Sequence, residues 1–463
     1  MSSRKKRAIL AVAVLCFVVA IIGISVGVSQ SKSGSTNNVA PVTGQIKDVV
    51  IVPTLSPTPL PTAAPTSTGA GGEPTTSDGV PTPAPTSVQV TADPTSSPTM
   101  LSDVVQSMLD ILKPYYPGES FQTLNTPNTP QNRALMWMAT SPNFRAYSSS
   151  DKIQRYTLAA IYFSLGGEHW LRQTRWLTAS DECYWHGIVC TRGRVSDVSL
   201  GANNVTGVFP FEFDFLKEFL TKISIPNNNI QVSNLIDLIK LVNLEYIDLD
   251  NNSVEGNIPD QIDLLSNLKT FKLSNNSLVG DIPERFFNIT SLETISLSDN
   301  YFTGLPDMIG QLVNLKEFIF DRNDAARNVT SPRNFDPVRI PTTLGYLKKL
   351  TTLSMSEMKP PIQGRLPSEL GLMTALKVMN LMKNQIVGEL PSELYNLREL
   401  SVLDLGYNKL NGTLSSEMKN FLKMDMFKIN NNHFEQSIPK EVGNIRFLNQ
   451  FIANSVSQHS VFC

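Results

Sequence analysis

A short apolar pattern that recurs along the chain constrains the fold of this 463-residue protein more than any other feature. In the stretch from Leu244 to Val254, apolar residues stand at positions 1, 4, 6 and 11, and Asn252 stands at position 9. The pattern returns with a period of roughly 24 residues, and one such unit is too small to bury a core by itself. We therefore expect the units to stack into a solenoid over residues 192–463. Their first positions are Val195, Leu220, Leu244, Leu268, Leu292, Leu315, Leu350, Leu376, Leu400, Met424 and Leu448.

The spacing of these units resembles that of leucine-rich repeat proteins, and one detail resembles the plant-type extracellular variant of that family. In several units a glycine is followed by any residue, then Ile or Leu, and then Pro. The glycines of this kind are Gly256, Gly280, Gly364 and Gly388. The resemblance implies an α/β repeat fold, a right-handed leucine-rich repeat solenoid of about 10 or 11 units with one strand each.

The ninth position of most units is asparagine. An inward-facing asparagine there can bond the backbone of the neighbouring turn, which satisfies polar groups that would otherwise be costly to bury. The sequence therefore predicts a ladder of asparagines along the solenoid. Its members are Asn203, Asn228, Asn252, Asn276, Asn300, Asn323, Asn384, Asn408 and Asn432.

One unit departs from the period. The step from Leu315 to Leu350 is 35 residues, and the additional residues stand near 324–339. In the unit that follows, Met358 occupies the place of the ladder asparagine. Two interpretations stay open: a tolerated surface loop, or a small counterpart of the inserted island that helps some plant receptors of this type to bind ligand.

The N-terminus combines positive charge with a long apolar run. Residues 1–7 end in Arg4-Lys5-Lys6-Arg7, and residues 8–28 contain no charged side chain. A run of this length is about long enough to span a bilayer. Because basic residues stay in the cytosol, we expect a type II, single-pass plasma-membrane protein with its repeats outside. A cleaved signal peptide is the alternative interpretation.

Residues 29–100 are rich in Pro, Thr and Ser and nearly free of large apolar residues, which predicts a disordered stalk. Residues 101–191 regain apolar content and form the predicted N-terminal cap region. Helical spacing predicts one helix that begins near Ser102 and another over 150–165, which Gly166-Gly167 ends.

The stretch Cys183-Tyr184-Trp185-His186-Gly187-Ile188-Val189-Cys190 resembles the N-terminal cap motif of plant-type extracellular leucine-rich repeat proteins, with Ile188 in the place of a valine. The resemblance implies a disulfide between Cys183 and Cys190 that closes a helical cap over the first repeat. Together with the segment 143–167 and the N-terminal anchor, it is similar to membrane-anchored leucine-rich repeat proteins of diatoms. His186 is not expected to bind metal, because the spacing fits no usual zinc site.

Several functions are not supported by the sequence. A formal net charge of -2 gives no argument for nucleic-acid binding. The motifs of protein kinases, serine hydrolases and zinc proteases are absent from the sequence. We therefore expect a non-enzyme with no cofactor and no metal site.

Two functional hypotheses remain. The first is a cell-surface recognition protein, receptor-like or co-receptor, that binds a peptide, protein or glycan and acts through a membrane-bound signalling partner. The second is a non-signalling protein of the extracellular matrix or wall, or an inhibitor of wall-degrading enzymes. The predicted anchor favours the first, whereas a cleaved N-terminus would favour the second.

Two sets of surface residues follow from the repeat pattern. Six N-x-S/T sequons mark candidate N-glycosylation sites: Asn204, Asn251, Asn275, Asn288, Asn328 and Asn411. The third, fifth and seventh positions of each unit should point to the concave side, since strand side chains alternate. In later units these positions group apolar residues, which indicates a contact site. The candidate ligand surface comprises Ile319, Val378, Met382, Val402, Asp404, Met426 and Lys428.

Overall fold

The computed structural model describes residues 49–51, 98–325, 338–435 and 438–453. No helix in these ranges is long and apolar enough to cross a membrane. The predicted cytosolic tail and anchor lie outside the described residues, as do most of the stalk, the insertion segment 326–337 with Asn328, and the last ten residues of the chain.

Twenty-two short strands recur along the described chain. In chain order they are β1 (Val49–Ile51), β2 (Ile188–Thr191), β3 (Arg194–Ser199), β4 (Thr206–Val208), β5 (Lys222–Ser224), β6 (Asn229–Val232), β7 (Tyr246–Asp248), β8 (Ser253–Gly256), β9 (Thr270–Lys272), β10 (Ser277–Gly280), β11 (Thr294–Ser296), β12 (Tyr301–Phe302), β13 (Glu317–Ile319), β14 (Thr352–Ser354), β15 (Gln363–Gly364), β16 (Val378–Asn380), β17 (Gln385–Gly388), β18 (Val402–Asp404), β19 (Lys409–Gly412), β20 (Met426–Lys428), β21 (His433–Phe434) and β22 (Gln450–Ala453).

The first strand of every unit joins one main sheet. Thirteen strands form it, in the order β1-β22-β20-β18-β16-β14-β13-β11-β9-β7-β5-β3-β2. From β3 to β22 neighbouring strands run parallel, while β2 and β1 pair antiparallel at the two edges. Strand β1 comes from the segment predicted to be a stalk, where it bonds the otherwise open edge of β22. The predicted solenoid with one main strand per unit is confirmed.

A second strand and a helical turn complete most units. The second strands form two shorter sheets, β12-β10-β8-β6-β4 and β15-β17-β19-β21. The turns of the units are α5 (Ile236–Ile239) and the 3-10 helices Phe211–Leu216, Asp260–Leu264, Glu284–Asn288, Asp307–Gln311, Thr342–Tyr346, Ser368–Leu372, Ser392–Asn396, Ser416–Asn420 and Lys440–Asn444. The cap contains α1 (Pro98–Leu112), α2 (Gln122–Asn125), α3 (Pro130–Ala139) and α4 (Ser149–Ser164), and the 3-10 helices Lys113–Tyr115, Gly118–Phe121, Phe144–Ala146, Gly167–His169 and Glu182–Tyr184.

The core of the solenoid is built from equivalent positions of successive units. Ile247 at position 4 is fully buried and stands in register with Ile223 of the preceding unit and Phe271 of the next. This stacking removes from water the apolar edge that a single unit would expose, and burial of that area is the main stabilising term.

The asparagine ladder is present as predicted. Asn300, nearly fully buried, donates through Nδ2 to the carbonyl oxygens of Leu273, Leu297 and Ser298 at 2.8, 3.3 and 3.1 Å. Its Oδ1 accepts the backbone N–H of Leu278 at 2.9 Å. One side chain therefore satisfies backbone groups in its own unit and in the unit before it.

The ladder is interrupted at Met358, which is buried in the core cluster. Backbone groups replace the missing amide there. The N–H of Lys359 donates to the carbonyl of Asn323 at 2.8 Å, and the N–H of Ala325 donates to the carbonyl of Lys359 at 2.8 Å. Because these bonds come from the main chain, the stack continues across the long step without an asparagine.

The eighth position of ten units adopts the left-handed backbone conformation. Its φ values range from 49° to 58°. Asparagine and aspartate tolerate this conformation better than other residues with a side chain do. The residues are Ala202, Asn227, Asn251, Asn275, Asp299, Arg322, Glu357, Lys383, Tyr407 and Asn431.

The N-terminal cap closes the first unit with an aromatic cluster. The ring of Trp185 lies 5.1 Å from that of Trp176 and 5.9 Å from that of Trp137, between centroids. A disulfide joins Cys183 and Cys190 beside Trp185, which confirms the predicted pairing. Helix α4 follows the predicted bounds within one residue and begins with a capping box between Ser148 and Asp151.

A buried ion pair ties helix α4 to the disulfide loop. The guanidinium of Arg155 donates through Nη1 to Glu182 Oε2 at 2.6 Å and to the carbonyl of Ser180 at 3.0 Å. Its Nη2 donates to the carbonyl of Thr178 at 2.9 Å, and the ring of Trp185 lies 5.3 Å from the guanidinium carbon. These bonds fix the loop that positions Trp185.

A second polar contact joins the cap to the first repeat. Glu212, fully buried in the turn of the Val195 unit, accepts hydrogen bonds from Tyr116 Oη and Gln131 Nε2, both at 2.9 Å. Burial raises the pKa of the Glu212 carboxyl. Among the described residues no cation forms an ion pair with Glu212. Its two hydrogen-bond donors, Tyr116 and Gln131, are both neutral.

Candidate functional site

The third, fifth and seventh positions of the units line the outer side of the main sheet, which we call the sheet face. Equivalent positions on neighbouring strands align: Val402 stands in register with Val378 of β16 and with Met426 of β20. Neighbouring strands lie about 4.8 Å apart, so side chains at equivalent positions touch and shield one another.

Because of this shielding, two residues of the candidate ligand surface are less exposed than predicted. Val402 and Asp404 are buried, with exposed fractions of 8% and 7%, although solvent-facing positions were predicted. The remaining members of the set are half-buried: Ile319, Val378, Met382, Met426 and Lys428. The third-position residues of β16, β18 and β20 (Val378, Val402 and Met426) are adjacent in register, and Met382 follows β16 at the seventh position of the same unit. We call these four residues the apolar patch.

The apolar patch borders a partly screened carboxylate. Asp404 Oδ1 accepts the backbone N–H of Gly406 at 3.0 Å, and its Oδ2 lies 3.7 Å from the ammonium of Lys428. Burial raises the pKa of Asp404, although the Gly406 bond and the Lys428 charge oppose the rise. The two charged residues of the set are thus brought together beside the apolar patch.

Large exposed apolar side chains occur at another place that the sequence reasoning did not single out. Tyr346 and Leu372 close successive helical turns and are 61% and 45% exposed. The sequence did contain a signal for this exposure. Tyr346 and Leu372 each stand four positions before the first leucine of the next unit, and several other units have Asn at that place.

The early units carry an acidic site on the sheet face. Asp248 is buried and accepts hydrogen bonds from Tyr246 Oη at 3.3 Å and from the N–H of Asp250 at 3.2 Å. Asp250 Oδ1 accepts the N–H of Ser274 at 2.6 Å. Burial, together with the charge of Asp248, raises the pKa of Asp250 to about 7.

The Asp250 carboxyl should make stability depend on pH. In the unfolded chain it ionises near pH 4, whereas in the folded chain it keeps its proton up to about pH 7. The folded state therefore binds more protons across this window, and the free energy of unfolding should fall as pH rises through it. We expect Asp250→Asn to remove most of this fall and to gain about 1–2 kcal/mol at pH 7.5.

Urea unfolding of the full-length protein at pH 5 and pH 7.5 measures this effect. The exposed Asp260, changed to Asn, serves as the control and should leave the pH dependence intact. An Asp250→Asn variant that loses as much stability between the two pH values as the parent would contradict the assignment.

A hydrogen-bonded row of small polar residues lies between the acidic site and the apolar patch. Ser274 Oγ and Ser296 Oγ are 2.7 Å apart, and the N–H of Asp321 donates to Ser298 Oγ at 2.9 Å. On the other side, Ser354 Oγ donates to Asp321 Oδ1 at 2.7 Å. Sequence reasoning missed this row because its members come from separate units.

The described sequons are accessible. Asn204, Asn251, Asn275, Asn288 and Asn411 are all exposed. Asn275 Nδ2 donates to Asn251 Oδ1 at 2.8 Å, so these two sequons are neighbours at the edge of the sheet face. Among the described residues, no three His, Cys, Asp or Glu side chains come together as a metal site.

Sequence-family matches cover part of the repeats. Families described as leucine-rich repeats match residues 266–324 and residues 243–265. A comparison with curated proteins found no match. The repeat fold is therefore supported from both sequence and structure.

Solved structures with a similar fold include plant receptor ectodomains. The leucine-rich repeat ectodomain of the Arabidopsis receptor kinase HAESA, in complex with an N-terminally extended IDA peptide hormone, is 27% identical, with a TM-score of 0.57 over 65% of this chain and 48% of that chain. A complex of HAESA with IDA and the co-receptor SERK1 is 25% identical, with a TM-score of 0.55 over 65% and 52%.

A third structure is the ectodomain of the Arabidopsis thaliana membrane receptor kinase GASSHO1/SCHENGEN3 in complex with CASPARIAN STRIP INTEGRITY FACTOR 2. It is 28% identical, with a TM-score of 0.52 over 58% of this chain and 31% of that chain. The chain spans about a third to a half of the length of these ectodomains. The repeats and these similarities support an extracellular-type leucine-rich repeat protein.

Proposed function

We propose that this protein is a cell-surface recognition protein that binds a peptide or protein ligand on its sheet face and acts through membrane partners. The observation that carries the proposal is the apolar patch on β16, β18 and β20. Apolar side chains that border solvent on adjacent strands are a common feature of contact sites. The similar ectodomains whose structures contain peptide ligands support the same class of ligand.

The location of the patch supports a peptide rather than a small molecule. Its residues are spread over three neighbouring strands of the main sheet, whereas small-molecule sites are usually enclosed clefts or cavities. The two methionines, Met382 and Met426, have flexible side chains that adapt to varied partners. A ligand that lies across several strands can use each of these contacts in turn.

The cellular setting of the proposal rests on the N-terminal sequence. The basic residues 4–7 followed by the uncharged run 8–28 support a single-pass plasma-membrane protein of type II with its repeats outside. The exposed sequons support passage through the secretory pathway. The proposal therefore includes a membrane-bound partner through which the protein signals.

The test is a charge placed in the apolar patch. We expect Val378→Glu combined with Met426→Glu to reduce ligand capture by the full-length protein on living cells at least tenfold, because a buried carboxylate without a partner is costly in the complex. Both residues are half-buried third-position residues outside the core cluster, so folding should survive. Val402 is unsuitable because it is buried.

Thr270→Glu provides the matched control, since Thr270 occupies the third position of an early unit and is also half-buried. It should leave capture unchanged. Equal capture by the double variant and the parent, or a loss with Thr270→Glu alone, would refute the location of the site.

A further inference from the structure

A nearly buried carboxylate lies on the sheet face two units before the apolar patch begins. Asp321, at the seventh position of the Leu315 unit, is 2% exposed. Its Oδ1 accepts three hydrogen bonds, from Ser354 Oγ at 2.7 Å, from the N–H of Ser356 at 2.6 Å and from Ser356 Oγ at 2.8 Å. The side chain is therefore held in one position by two neighbouring serines.

The other oxygen of this carboxylate, Oδ2, has no partner in the part of the chain that the structure describes. Within the described residues, Oδ2 of Asp321 accepts no hydrogen bond and forms no ion pair. This oxygen is not fully enclosed by protein atoms, so it borders the surface of the sheet face. A carboxylate oxygen has lone pairs for two donors. The structure thus presents an unused acceptor at a fixed position.

The nearest cation in sequence is already engaged. Arg322 donates to both carboxylate oxygens of Asp299, through Nε at 2.6 Å and through Nη2 at 2.5 Å. Burial, the largest influence on the group, raises the pKa of Asp321, which the hydrogen bonds from the two serines and the charge of Arg322 only partly oppose. The carboxyl therefore lacks the positively charged partner that would stabilise its ionised form.

The charge of the whole sheet face points to a cationic partner. The third, fifth and seventh positions carry six carboxylates and three ammonium groups. The carboxylates are Asp197, Asp248, Asp250, Glu317, Asp321 and Asp404, and the ammonium groups are Lys222, Lys272 and Lys428. Small side chains surround Asp321, since Ser298, Ser354 and Ser356 are its neighbours on the two flanking units. A long basic side chain can pass between these small side chains and reach the carboxylate of Asp321.

We infer that Asp321 receives a lysine or arginine side chain of the peptide ligand, and that an apolar ligand residue about six positions away contacts the apolar patch. This inference rests on the proposed function. The spacing follows from the sheet: β13, β14, β16 and β18 are successive strands, so Asp321 and Val402 are separated by three strand steps, about 14 Å across the sheet. Asp321 stands at the seventh position of its unit and Val402 at the third, which adds about 13 Å along the strands, so the two are about 20 Å apart and an extended peptide covers that distance in about six residues.

The experiment is selection of a random peptide display library on the detergent-solubilised full-length protein. The expected result is enrichment of peptides that share a basic residue with an apolar residue about six positions away. The variant Asp321→Asn should lose the preference for the basic residue and bind the best peptide at least tenfold more weakly. Its amide oxygen can still accept the hydrogen bonds of Ser354 and Ser356, and thermal unfolding confirms that it folds.

Asp248→Asn is the matched control. Asp248 is a buried carboxylate on the same face, three units before Asp321. Its change to Asn also removes one carboxylate, but at a place that the ligand is not expected to contact. It should leave the selection unaltered. The inference is overturned if Asp321→Asn selects the same basic peptides as the parent. It is also overturned if the parent enriches peptides that share no basic residue, and that second outcome leaves the proposed function standing. Enrichment of no peptide over empty support would overturn both.

Discussion

Replacing Arg155 with methionine is expected to lower the free energy of unfolding by about 3–5 kcal/mol, because it leaves Glu182 buried without its cation. Arg155 is 1% exposed, and its guanidinium provides the only ion pair of Glu182 among the described residues. Methionine keeps the length of the side chain but has no donor for Glu182, Ser180 or Thr178. Equilibrium unfolding of the full-length protein in urea measures the loss.

A double variant separates the ion pair from packing. Adding Glu182→Leu to Arg155→Met removes the unpaired charge, and at least half of the lost stability should return. Breaking one partner of a buried pair is more costly than replacing both with apolar groups. The explanation fails if the single variant loses less than about 1 kcal/mol or if the double variant is no more stable than the single one.

Asn300→Ala is expected to cost about 3–4 kcal/mol. The change leaves the N–H of Leu278 without its partner in the core, and an unsatisfied group costs about 1–3 kcal/mol. The carbonyls of Leu273 and Leu297 keep Asn276 and Asn323 as donors but each loses one hydrogen bond, at about 0.5–1.5 kcal/mol. Chemical denaturation of the full-length protein gives the value.

Asn380→Ala is the control for this ladder variant, because Asn380 is a half-buried asparagine on the sheet face. Its Nδ2 makes one side-chain donation, to Ser354 Oγ at 3.1 Å. It should cost less than about 1 kcal/mol. Equal losses at Asn300 and Asn380 would mean that position within the unit does not decide the role of an asparagine.

The features of the fold that were predictable are those that repeat. Asn252 and Asn300 both occupy the ninth position of their units. The rule that buried polar groups form hydrogen bonds therefore predicts the same role for each of them. The Cys183–Cys190 disulfide is local, because its cysteines are seven positions apart in sequence, and its motif could be compared with known caps. In both cases the information lies within one unit or one short segment.

The features that sequence reasoning missed depend on contacts between distant segments. Tyr116 meets Glu212 across 96 residues, and no periodicity connects them. Val402 was expected to face solvent because its position in the unit faces outward. Its burial depends on the neighbours, Val378 and Met426, whose side chains happen to be large enough to cover it. The Asp321 site likewise needs serines from the units on both sides.

The acidic site and the apolar patch divide the sheet face into two chemically distinct parts. Tyr246, Asp248 and Asp250 form a polar network whose bonds are satisfied largely within the protein. The later units contain Oδ2 of Asp321 and the apolar residues beyond it. We therefore expect ligand contacts to concentrate on the later units, while changes in the early ones act mainly on stability.

The left-handed eighth position differs between these two parts. The units from Leu220 to Leu292 hold Asn or Asp there, whereas the next four hold Arg322, Glu357, Lys383 and Tyr407. Such residues cost about 1 kcal/mol more in this conformation than asparagine or glycine would. Four of the five units that bear the Asp321 site and the apolar patch thus give up conformational energy, and the fifth, with Asn431, does not. A trade-off between stability and activity would produce this distribution, because a binding region then holds residues that folding alone would not favour.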